Sequence, residues 1–313
     1  MTAIRPARDA VILVTGAAGF LGYHLSKRLL VQGLRVIGLD NLNDYYAVEL
    51  KQSRLNFLLP FSNFTFLRGS IDDREFVMRA FAEHRPTVVV NLAAQAGVRF
   101  SLENPAAYVQ SNMVGFFQIL EGCRRHPVDH LIYASSSSVY GGNSKVPFEE
   151  SDRVDKPESF YAATKRADEV MATSYSHLYG IPATGLRFFT VYGPFGRPDM
   201  AYFSFLDSYF ANRPIRIYNN GDSRNDLSRD FTYVDDVIEA IVRLLDRPPI
   251  VAPKRQIFNV GNNQSETLTH FVATLEKCLS TALKRPVTFQ RTYEPLKPGD
   301  VRGGFRPQLH PRL

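Results

Sequence analysis

Hydrophobic and polar positions in the first 190 residues alternate between two patterns. Short continuous apolar runs, typical of strands buried on both faces, are separated by segments with apolar residues at helical spacing. Strands are predicted at residues 10–15, 34–39, 64–67, 87–92, 131–134 and 183–189. Helices are predicted at residues 20–31, 73–83, 105–125 and 159–178. This alternation predicts an α/β fold, a doubly wound parallel sheet of the Rossmann type.

After Tyr192 the pattern gives way to loop signals and shorter apolar segments. Gly193-Pro194 and Arg197-Pro198 interrupt the chain, and residues 219–228 are polar and rich in turn formers. Later segments predict a helix at 231–245, a strand at 256–260 and a helix at 266–283. We therefore expect a sheet domain at 1–190 and a smaller, interleaved C-terminal domain at 191–313, with the segment at about 231–262 returning to the first.

Composition excludes several classes of protein. The 313 residues are 44% hydrophobic and 22% charged, as in ordinary globular proteins. No apolar run approaches the roughly 20 residues that cross a bilayer, and the start of the chain lacks the apolar core of a secretory signal. Cys123 and Cys278 alone cannot build a disulfide framework or a four-ligand zinc site. We expect a cytoplasmic protein with no metal and no membrane partner.

The net charge of +6 and the pI near 9.3 at first suggest a nucleic-acid partner. However, residues 284–313 contain seven Lys and Arg against two acidic residues, so residues 1–283 are almost neutral. A nucleic-acid interface would need a basic face with aromatic platforms. We therefore expect no nucleic-acid partner.

A glycine-rich turn joins the first predicted strand to the first predicted helix. Gly16, Gly19 and Gly22 have the spacing G-x-x-G-x-x-G, which allows a tight turn, a close approach to pyrophosphate and close packing of helix on strand. The helix N-terminus offers N–H groups to phosphate. Asp40 ends the second strand, where a carboxylate can accept both ribose hydroxyls and repel a 2′-phosphate. These features predict a site for NAD rather than NADP.

A second set of residues has the chemistry of a proton transfer. Ser135, Ser136, Ser137 and Ser138 end a strand, where hydroxyls suit a ligand crevice better than a buried interior. Tyr161 and Lys165 lie four residues apart, on one face of a helix. Tyrosine is a poor base at pH 7, but a neighbouring ammonium group lowers its pKa. The motif Y-x-x-x-K is common on helices, and the glycine turn and the serines favour a catalytic role for it here.

These segments carry a family resemblance. They are TGAAGFLG at 15–22, NLAAQAG at 91–97, SSSSVYG at 135–141 and YAATK at 161–165. From residue 11 to about 300, the chain resembles the extended short-chain dehydrogenase/reductase family of nucleotide-sugar epimerases and dehydratases. The resemblance implies that NAD stays bound through the cycle and that Tyr161 is the base. Lys165 would lower the pKa of Tyr161 and hold the nicotinamide ribose, and Ser136 would bind the sugar O4.

The same resemblance implies a set of contacts to NAD beyond the three glycines, Asp40, Tyr161 and Lys165. They are Ala18, Phe20, Leu21, Asn41, Asn43, Ser70, Ile71, Leu92, Ala93, Ala94, Gln95, Asn112, Ser135, Phe188 and Thr190. Ser70 stands where the family usually has Asp, near the adenine, which would weaken cofactor affinity without changing the reaction.

Longer segments are similar to the UDP-glucuronate 4-epimerases of that family. They are DNLNDYY at 40–46, AQAGVR at 94–99, RFFTVYGP at 187–194 and GRPDMA at 196–201. The implied reaction inverts C4 of UDP-glucuronate to UDP-galacturonate through a transient 4-keto sugar and tightly bound NADH. Related dehydratases carry Asp-Glu, and decarboxylases a Glu, where this chain has Ser137 and Ser138. Neutral hydroxyls there can hydrogen-bond a sugar carboxylate without repelling it.

The resemblance also implies substrate contacts in the second domain. Besides Ser136, Ser137, Ser138 and Tyr161, they are Arg99, Thr190, Arg197, Met200, Ala201, Phe203, Tyr218, Arg229, Lys297 and Asp300. Thr190 and Arg197 would hold the sugar carboxylate and Arg229 the diphosphate. Alternatives stay open: Arg197 as a surface arginine, and Phe203 and Tyr218 as core aromatics. The family more often has Arg at position 297, and the resemblance fades after residue 301.

Other functions remain possible at this point. The nearest alternative is a 4-epimerase of UDP-glucose and UDP-galactose, followed by a UDP-glucuronate decarboxylase and a non-catalytic NAD-binding protein. The family commonly dimerises through helices such as those predicted at 105–125 and 159–178, so we expect a homodimer.

Overall fold

The computed structural model describes residues 10–219, 221 and 226–295. The strands in chain order are β1 (Val11–Thr15), β2 (Arg35–Asp40), β3 (Phe64–Arg68), β4 (Val88–Asn91), β5 (His130–Ser136), β6 (Ala183–Phe188), β7 (Thr190–Tyr192), β8 (Ile215–Ile217), β9 (Ser228–Arg229), β10 (Phe231–Tyr233), β11 (Arg255–Val260), β12 (Glu266–Thr267) and β13 (Arg291–Tyr293). The helices are α1 (Phe20–Val31), α2 (Val48–Leu58), α3 (Arg74–His84), α4 (Phe100–Glu103), α5 (Pro105–Tyr108), α6 (Phe116–Arg125), α7 (Phe160–Tyr179), α8 (Ala201–Phe210), α9 (Val234–Leu244) and α10 (Leu268–Leu283).

Seven parallel strands form the central sheet in the order β3-β2-β1-β4-β5-β6-β11. The order reverses between β1 and β4, and such a switch point opens a crevice at the carboxyl ends of the strands. The predicted doubly wound fold is confirmed.

Each face of the sheet carries its own apolar core, because alternate residues of a strand point to opposite faces. Ile12 and Val14 of β1 join the core formed with α1, α2 and α9. Leu13, between them, joins the core formed with α3, α6 and α7. The sheet is therefore covered by helices on both sides, which explains why its strands are continuous apolar runs.

A smaller group of elements lies beyond the sheet. β8 pairs with β13, and α8 and α10 pack near them around a separate core that includes Phe205, Ile217, Val272 and Phe289. The segments of chain that connect this group to the central sheet contain two short strand pairs, β7 with β10 and β9 with β12. Within the described part of the chain, no helix is both long and apolar enough to cross a membrane.

Two predicted helices are wrong in part. The helix predicted at 105–125 is interrupted by a π-helical segment, Val109–Gly115, where the Asn112 side chain hydrogen-bonds the backbone of Gln95. The helix predicted at 231–245 begins as strand β10, because these residues pair with β7. In both places contacts distant in sequence outweigh the local helical pattern, and π-helical turns are frequent near functional sites.

Candidate active site

A cleft opens at the carboxyl ends of the central strands, where the order of the sheet reverses. Its lining residues are Gly16, Gly19, Phe20, Leu21, Gly22, Leu39, Asp40, Asn41, Asn43, Tyr45, Tyr46, Lys51, Gly69, Ser70, Ile71, Leu92, Ala93, Ala94, Gln95, Ala96, Ser111, Ala134, Ser135, Ser136, Tyr161, Lys165, Phe188, Phe189, Val191, Arg197 and Met200. The cleft thus brings the glycine turn together with the predicted serine, tyrosine and lysine.

The glycine turn is shaped by close backbone contacts. Gly16 has a φ of +68°, and a Cβ there would lie 2.9 Å from the Ala93 nitrogen. A Cβ on Gly22 would lie 2.0 Å from the Gly16 carbonyl oxygen, so the helix can approach the turn only at a glycine. The N-terminus of α1 has no side-chain cap and no acidic residue in its first turn. Its N–H groups and positive dipole end therefore fit the phosphates of a dinucleotide.

Asp40 is fixed at the end of β2. Its two carboxylate oxygens accept hydrogen bonds from the backbone N–H groups of Ala18, at 3.0 Å, and Leu42, at 2.8 Å. These bonds place a negative charge in the cleft wall beside the glycine turn, where it fits ribose hydroxyls and disfavours a 2′-phosphate. The Asn41 amide donates to the Ser70 hydroxyl at 3.3 Å, so Ser70 completes this end of the cleft with a neutral group.

Lys51 of α2 is a lining residue that sequence reasoning missed. Its ammonium group donates to the carbonyl and side-chain oxygens of Asn43, at 2.5 and 2.6 Å, and lies 4.5 Å from the centre of the Tyr46 ring. Burial lowers the pKa of Lys51, and the neighbouring Asp40 opposes that shift. No motif in α2 marks this lysine, whereas Tyr45 and Tyr46 belong to the segment at 40–46 that carries the resemblance.

The predicted catalytic residues come from two adjacent elements. Ser136 ends β5, and its hydroxyl lies 3.1 Å from the Ser138 hydroxyl and accepts from the Ser138 N–H at 3.2 Å. Tyr161 and Lys165 lie in the first turns of α7, which Ser159 caps by accepting from the Ala162 N–H at 3.1 Å. All three predicted residues, Ser136, Tyr161 and Lys165, line the cleft.

Lys165 is held from two sides. Its ammonium group donates to the Ala134 carbonyl oxygen at 3.0 Å and to the Asp168 carboxylate at 3.1 Å. Both Lys165 and Asp168 are 2% exposed. These contacts fix the cation on the face of α7 that it shares with Tyr161.

A buried ion pair ties α7 to the sheet. Glu169 accepts from Arg187 Nε at 2.8 Å and from its terminal nitrogen at 2.9 Å, and from the Ser135 hydroxyl at 2.7 Å. Burial pushes the pKa of Glu169 up, but the hydrogen bonds and charge of Arg187, together with the Ser135 hydrogen bond and the charge of Arg166, outweigh it and leave the pKa below its usual value. The Ser135 hydroxyl is therefore already hydrogen-bonded to Glu169, although Ser135 lines the cleft.

Arg197 is bound to a carboxylate of its own chain. It forms a bidentate pair with Asp199, at 3.0 and 2.5 Å, and the Tyr45 hydroxyl donates to the same carboxylate at 3.1 Å. Burial raises the pKa of Tyr45 to about 12, so the hydroxyl keeps its proton. This cluster joins the loop after β2 to the loop before α8 at the rim of the cleft.

The other predicted contacts lie outside the lining of the cleft. Among predicted cofactor residues these are Ala18, Asn112 and Thr190, and among predicted substrate residues Arg99, Ser137, Ser138, Thr190, Ala201, Phe203, Tyr218 and Arg229. The Asn112 side chain is hydrogen-bonded to the Gln95 backbone and to the Thr164 hydroxyl. The Arg99 guanidinium stacks on the Tyr218 ring at 4.3 Å. Lys297 and Asp300 lie outside the described residues.

The lining also contains residues that were not among the predicted site residues. They are Leu39, Tyr45, Tyr46, Lys51, Gly69, Ala96, Ser111, Ala134, Phe189 and Val191. Within the ranges that the structure describes, no three His, Cys, Asp or Glu side chains are grouped so as to hold a metal ion.

The fold and cleft define a Rossmann-type dinucleotide-binding protein with a serine, a tyrosine and a lysine beside the glycine turn. A family model described as the NAD dependent epimerase/dehydratase family matches residues 12–261. The match covers well over half of the chain, and the protein therefore belongs to the NAD-dependent epimerase/dehydratase family.

Two relatives and a solved structure add detail to this family assignment. Protein CapI of Staphylococcus aureus is 47% identical over 306 residues, covering 93% of this chain and 88% of its own. A probable UDP-glucuronate 4-epimerase of Rhizobium meliloti is 46% identical over 304 residues, covering 92% and 86%. The UDP-glucuronic acid 4-epimerase of Bacillus cereus, crystallised with UDP-glucuronic acid and NAD, superposes with a TM-score of 0.85 at 31% identity, covering 95% and 90%.

Proposed function

We propose that this protein is an NAD-dependent epimerase that inverts C4 of UDP-glucuronate to give UDP-galacturonate, reversibly. The observation that carries the proposal is the cleft itself, which places Ser136, Tyr161 and Lys165 beside the glycine turn and Asp40. The Rhizobium meliloti relative and the Bacillus cereus structure are both described as UDP-glucuronate 4-epimerases, which supports this substrate.

The residues of the chain divide the work of the reaction. The N-terminus of α1 and the Asp40 carboxylate hold the dinucleotide. When bound, NAD would supply the reversible hydride acceptor that oxidation and reduction at C4 of the sugar need. Tyr161 takes the proton of the 4-hydroxyl group, the charge of Lys165 favours its phenolate form, and Ser136 orients the reacting oxygen.

The neutral hydroxyls that follow Ser136 support the epimerisation of a uronate rather than a dehydration. Ser137 and Ser138 carry no acid that could expel water, and Ser138 is already hydrogen-bonded to Ser136. Arg197 would bind the sugar carboxylate by sharing or exchanging its pair with Asp199. Thr190, Arg229, Lys297 and Asp300 belong to the same proposal as contacts to the sugar and the UDP group.

We also propose that residues 1–190, with a returning segment at about 231–262, bind NAD, and that the remaining C-terminal part binds the UDP-sugar. The edge position of β11 beside β6 supports this division. A cytoplasmic location is proposed because both cysteines, Cys123 and Cys278, are free, as in a reducing compartment.

A homodimer is part of the proposal. Five large apolar side chains on α6 and α7 are exposed: Phe117 by 41%, Phe160 by 38%, Val170 by 51%, Leu178 by 62% and Tyr179 by 48%. Apolar side chains concentrated on neighbouring helices favour contact with a second chain. The matching helices of a second copy would cover them in a four-helix contact.

One experiment tests the function directly. The purified protein is incubated with UDP-glucuronate and with UDP-glucose in separate tubes, without added NAD, and the products are identified by NMR. UDP-galacturonate is expected from the first tube. Epimerisation of UDP-glucose alone would show a neutral-sugar epimerase, a pentose product a decarboxylase, and unchanged sugars a non-catalytic protein.

A further inference from the structure

Asp168 is a buried carboxylate in direct contact with the lysine of the site. It lies one helical turn after Lys165 on α7, and its Oδ2 accepts from the lysine ammonium at 3.1 Å. Its other oxygen, Oδ1, is buried without a hydrogen-bond partner among the described residues. A carboxylate this deeply buried is costly unless it is paired, and Lys165 is the cation that pairs with it.

The other charged groups around Asp168 have partners of their own. On the same helix, Glu169 is neutralised by Arg187 of β6. On β5, the charge of Asp168 acts on the buried Tyr133 hydroxyl, and the positive charges of Arg187 and of Arg255 on β11 also act on that hydroxyl. The Lys165 ammonium is thus the positive group in direct contact with Asp168.

Tyr161 lies on the same face of α7 as this pair. Tyr108 of α5 contacts its ring edge-on at 6.1 Å, and Arg197 adds a positive charge from across the cleft. Seven residues, or two helical turns, separate Tyr161 from Asp168, about 10 Å along the axis. An ionised Asp168 therefore acts on Tyr161 with a sign opposite to that of Lys165.

We propose that Asp168 is a positioning residue that acts on the reaction through Lys165. It fixes the ammonium group and cancels part of its charge, so that Tyr161 experiences a weaker positive field than Lys165 alone would exert. This inference rests on the proposed function, because it assigns Tyr161 as the base.

Two further observations bear on the size of the effect. Burial raises the pKa of Asp168 to about 7, against the opposing effect of Lys165, so this carboxyl changes its charge within the range of an epimerase assay. Two unit charges about 10 Å apart, at an effective dielectric constant near 20, shift each other's pKa by on the order of one unit. Removing the Asp168 charge should shift the acid limb of the activity profile by that amount at most.

The test compares pH profiles of kcat/KM for UDP-glucuronate in the wild type, Asp168→Asn and Asp168→Ala. Both variants remove the charge, but they leave different contacts to Lys165. The midpoint of the acid limb is expected to move to lower pH in both, by about half a unit to one unit. A lower plateau with an unmoved midpoint would mean that Asp168 only supports the fold, and the proposal would be wrong.

Asp236→Asn is the matched control, since it makes the same chemical change on the exposed side of α9 and should leave the midpoint unchanged. The wild type alone provides a second reading that needs no variant. Because Asp168 gains its proton in the same pH range, the acid limb of the wild-type profile should be broader than the limb of a single ionisation. A limb that fits one ionisation would overturn the proposal even if both variants failed to fold. If the wild type does not epimerise UDP-glucuronate at all, the proposed function fails first, and the two failures are distinguishable.

Discussion

Replacing Glu169 by Gln tests whether one buried charge holds the catalytic helix to the sheet. Glu169 is fully buried, and its bidentate partner Arg187 is 2% exposed. The same carboxylate binds the Ser135 hydroxyl, and it lies one turn after Lys165. The substitution therefore removes a charge that connects α7 to both β5 and β6.

The expected loss of stability is large for a single atom change. Breaking a buried ion pair from one side costs about 3–5 kcal/mol, because the remaining charge stays buried without its partner. The amide keeps one oxygen to accept from Arg187, and the guanidinium also donates to the Tyr140 hydroxyl at 2.9 Å, so the lower end is expected. With an unfolding entropy of about 2.1 cal/mol/K per residue, 3 kcal/mol corresponds to a fall in Tm of about 5 °C.

The assay is thermal unfolding at pH 7.5 at a fixed, saturating NAD concentration, since bound ligand itself adds stability. The folded pKa of Glu169 is depressed, so its contribution is fully present above the unfolded value of about 4.3 and is lost as the pH falls through the folded value. Glu239→Gln is the control: this exposed glutamate pairs with Arg243 at 2.9 Å and should cost less than about 1 kcal/mol. Equal Tm shifts in the two variants would refute the reasoning.

Three further outcomes are expected. Tyr161→Phe should reduce turnover of UDP-glucuronate by about 100- to 10,000-fold while NAD stays bound, measured by NMR and by the absorbance of the purified protein; normal turnover would rule out the phenolate base. Gly22→Ala should lose bound NAD, because its Cβ would lie 2.0 Å from the Gly16 oxygen, and retained cofactor would show that the turn can adjust. Val170→Glu should shift the protein toward the monomer in sedimentation, because it places a charge on the apolar face of α7, whereas an unchanged mass would place any dimer contact elsewhere.

The sequence predicted the part of the site that is built from short stretches. Gly16 directly follows β1, Asp40 ends β2 and Gly22 lies in the first turn of α1, and the pattern of the apolar runs locates these element ends. Tyr161 and Lys165 share a helix face because they are four residues apart. In each of these cases the geometry is set by neighbours within one turn or one strand, so local pattern was enough.

The sequence could not predict contacts between distant segments. Lys51 reaches the cleft because α2 lies against the glycine turn. Asp199 forms a bidentate ion pair with Arg197 because the loop that carries both residues bends between them. The π-helical segment directs the Asn112 side chain to the backbone of Gln95, and no local pattern in the sequence indicates that contact. These outcomes depend on packing energies between elements, which override local propensity.

Arg54 shows how far such a contact can organise the site. It is fully buried, and its five N–H donors go to the carbonyl oxygens of Ala18, Phe195 and Gly196 and to the Tyr46 hydroxyl. Ala18 belongs to the glycine turn, and Phe195 and Gly196 lead into Arg197. A single guanidinium therefore fixes the cofactor side of the cleft relative to the substrate side, and only the planar fork of an arginine presents five donors in these directions. The spacing of the two sides thus depends on a residue that does not line the cleft, and no motif at its own position in the chain could reveal it.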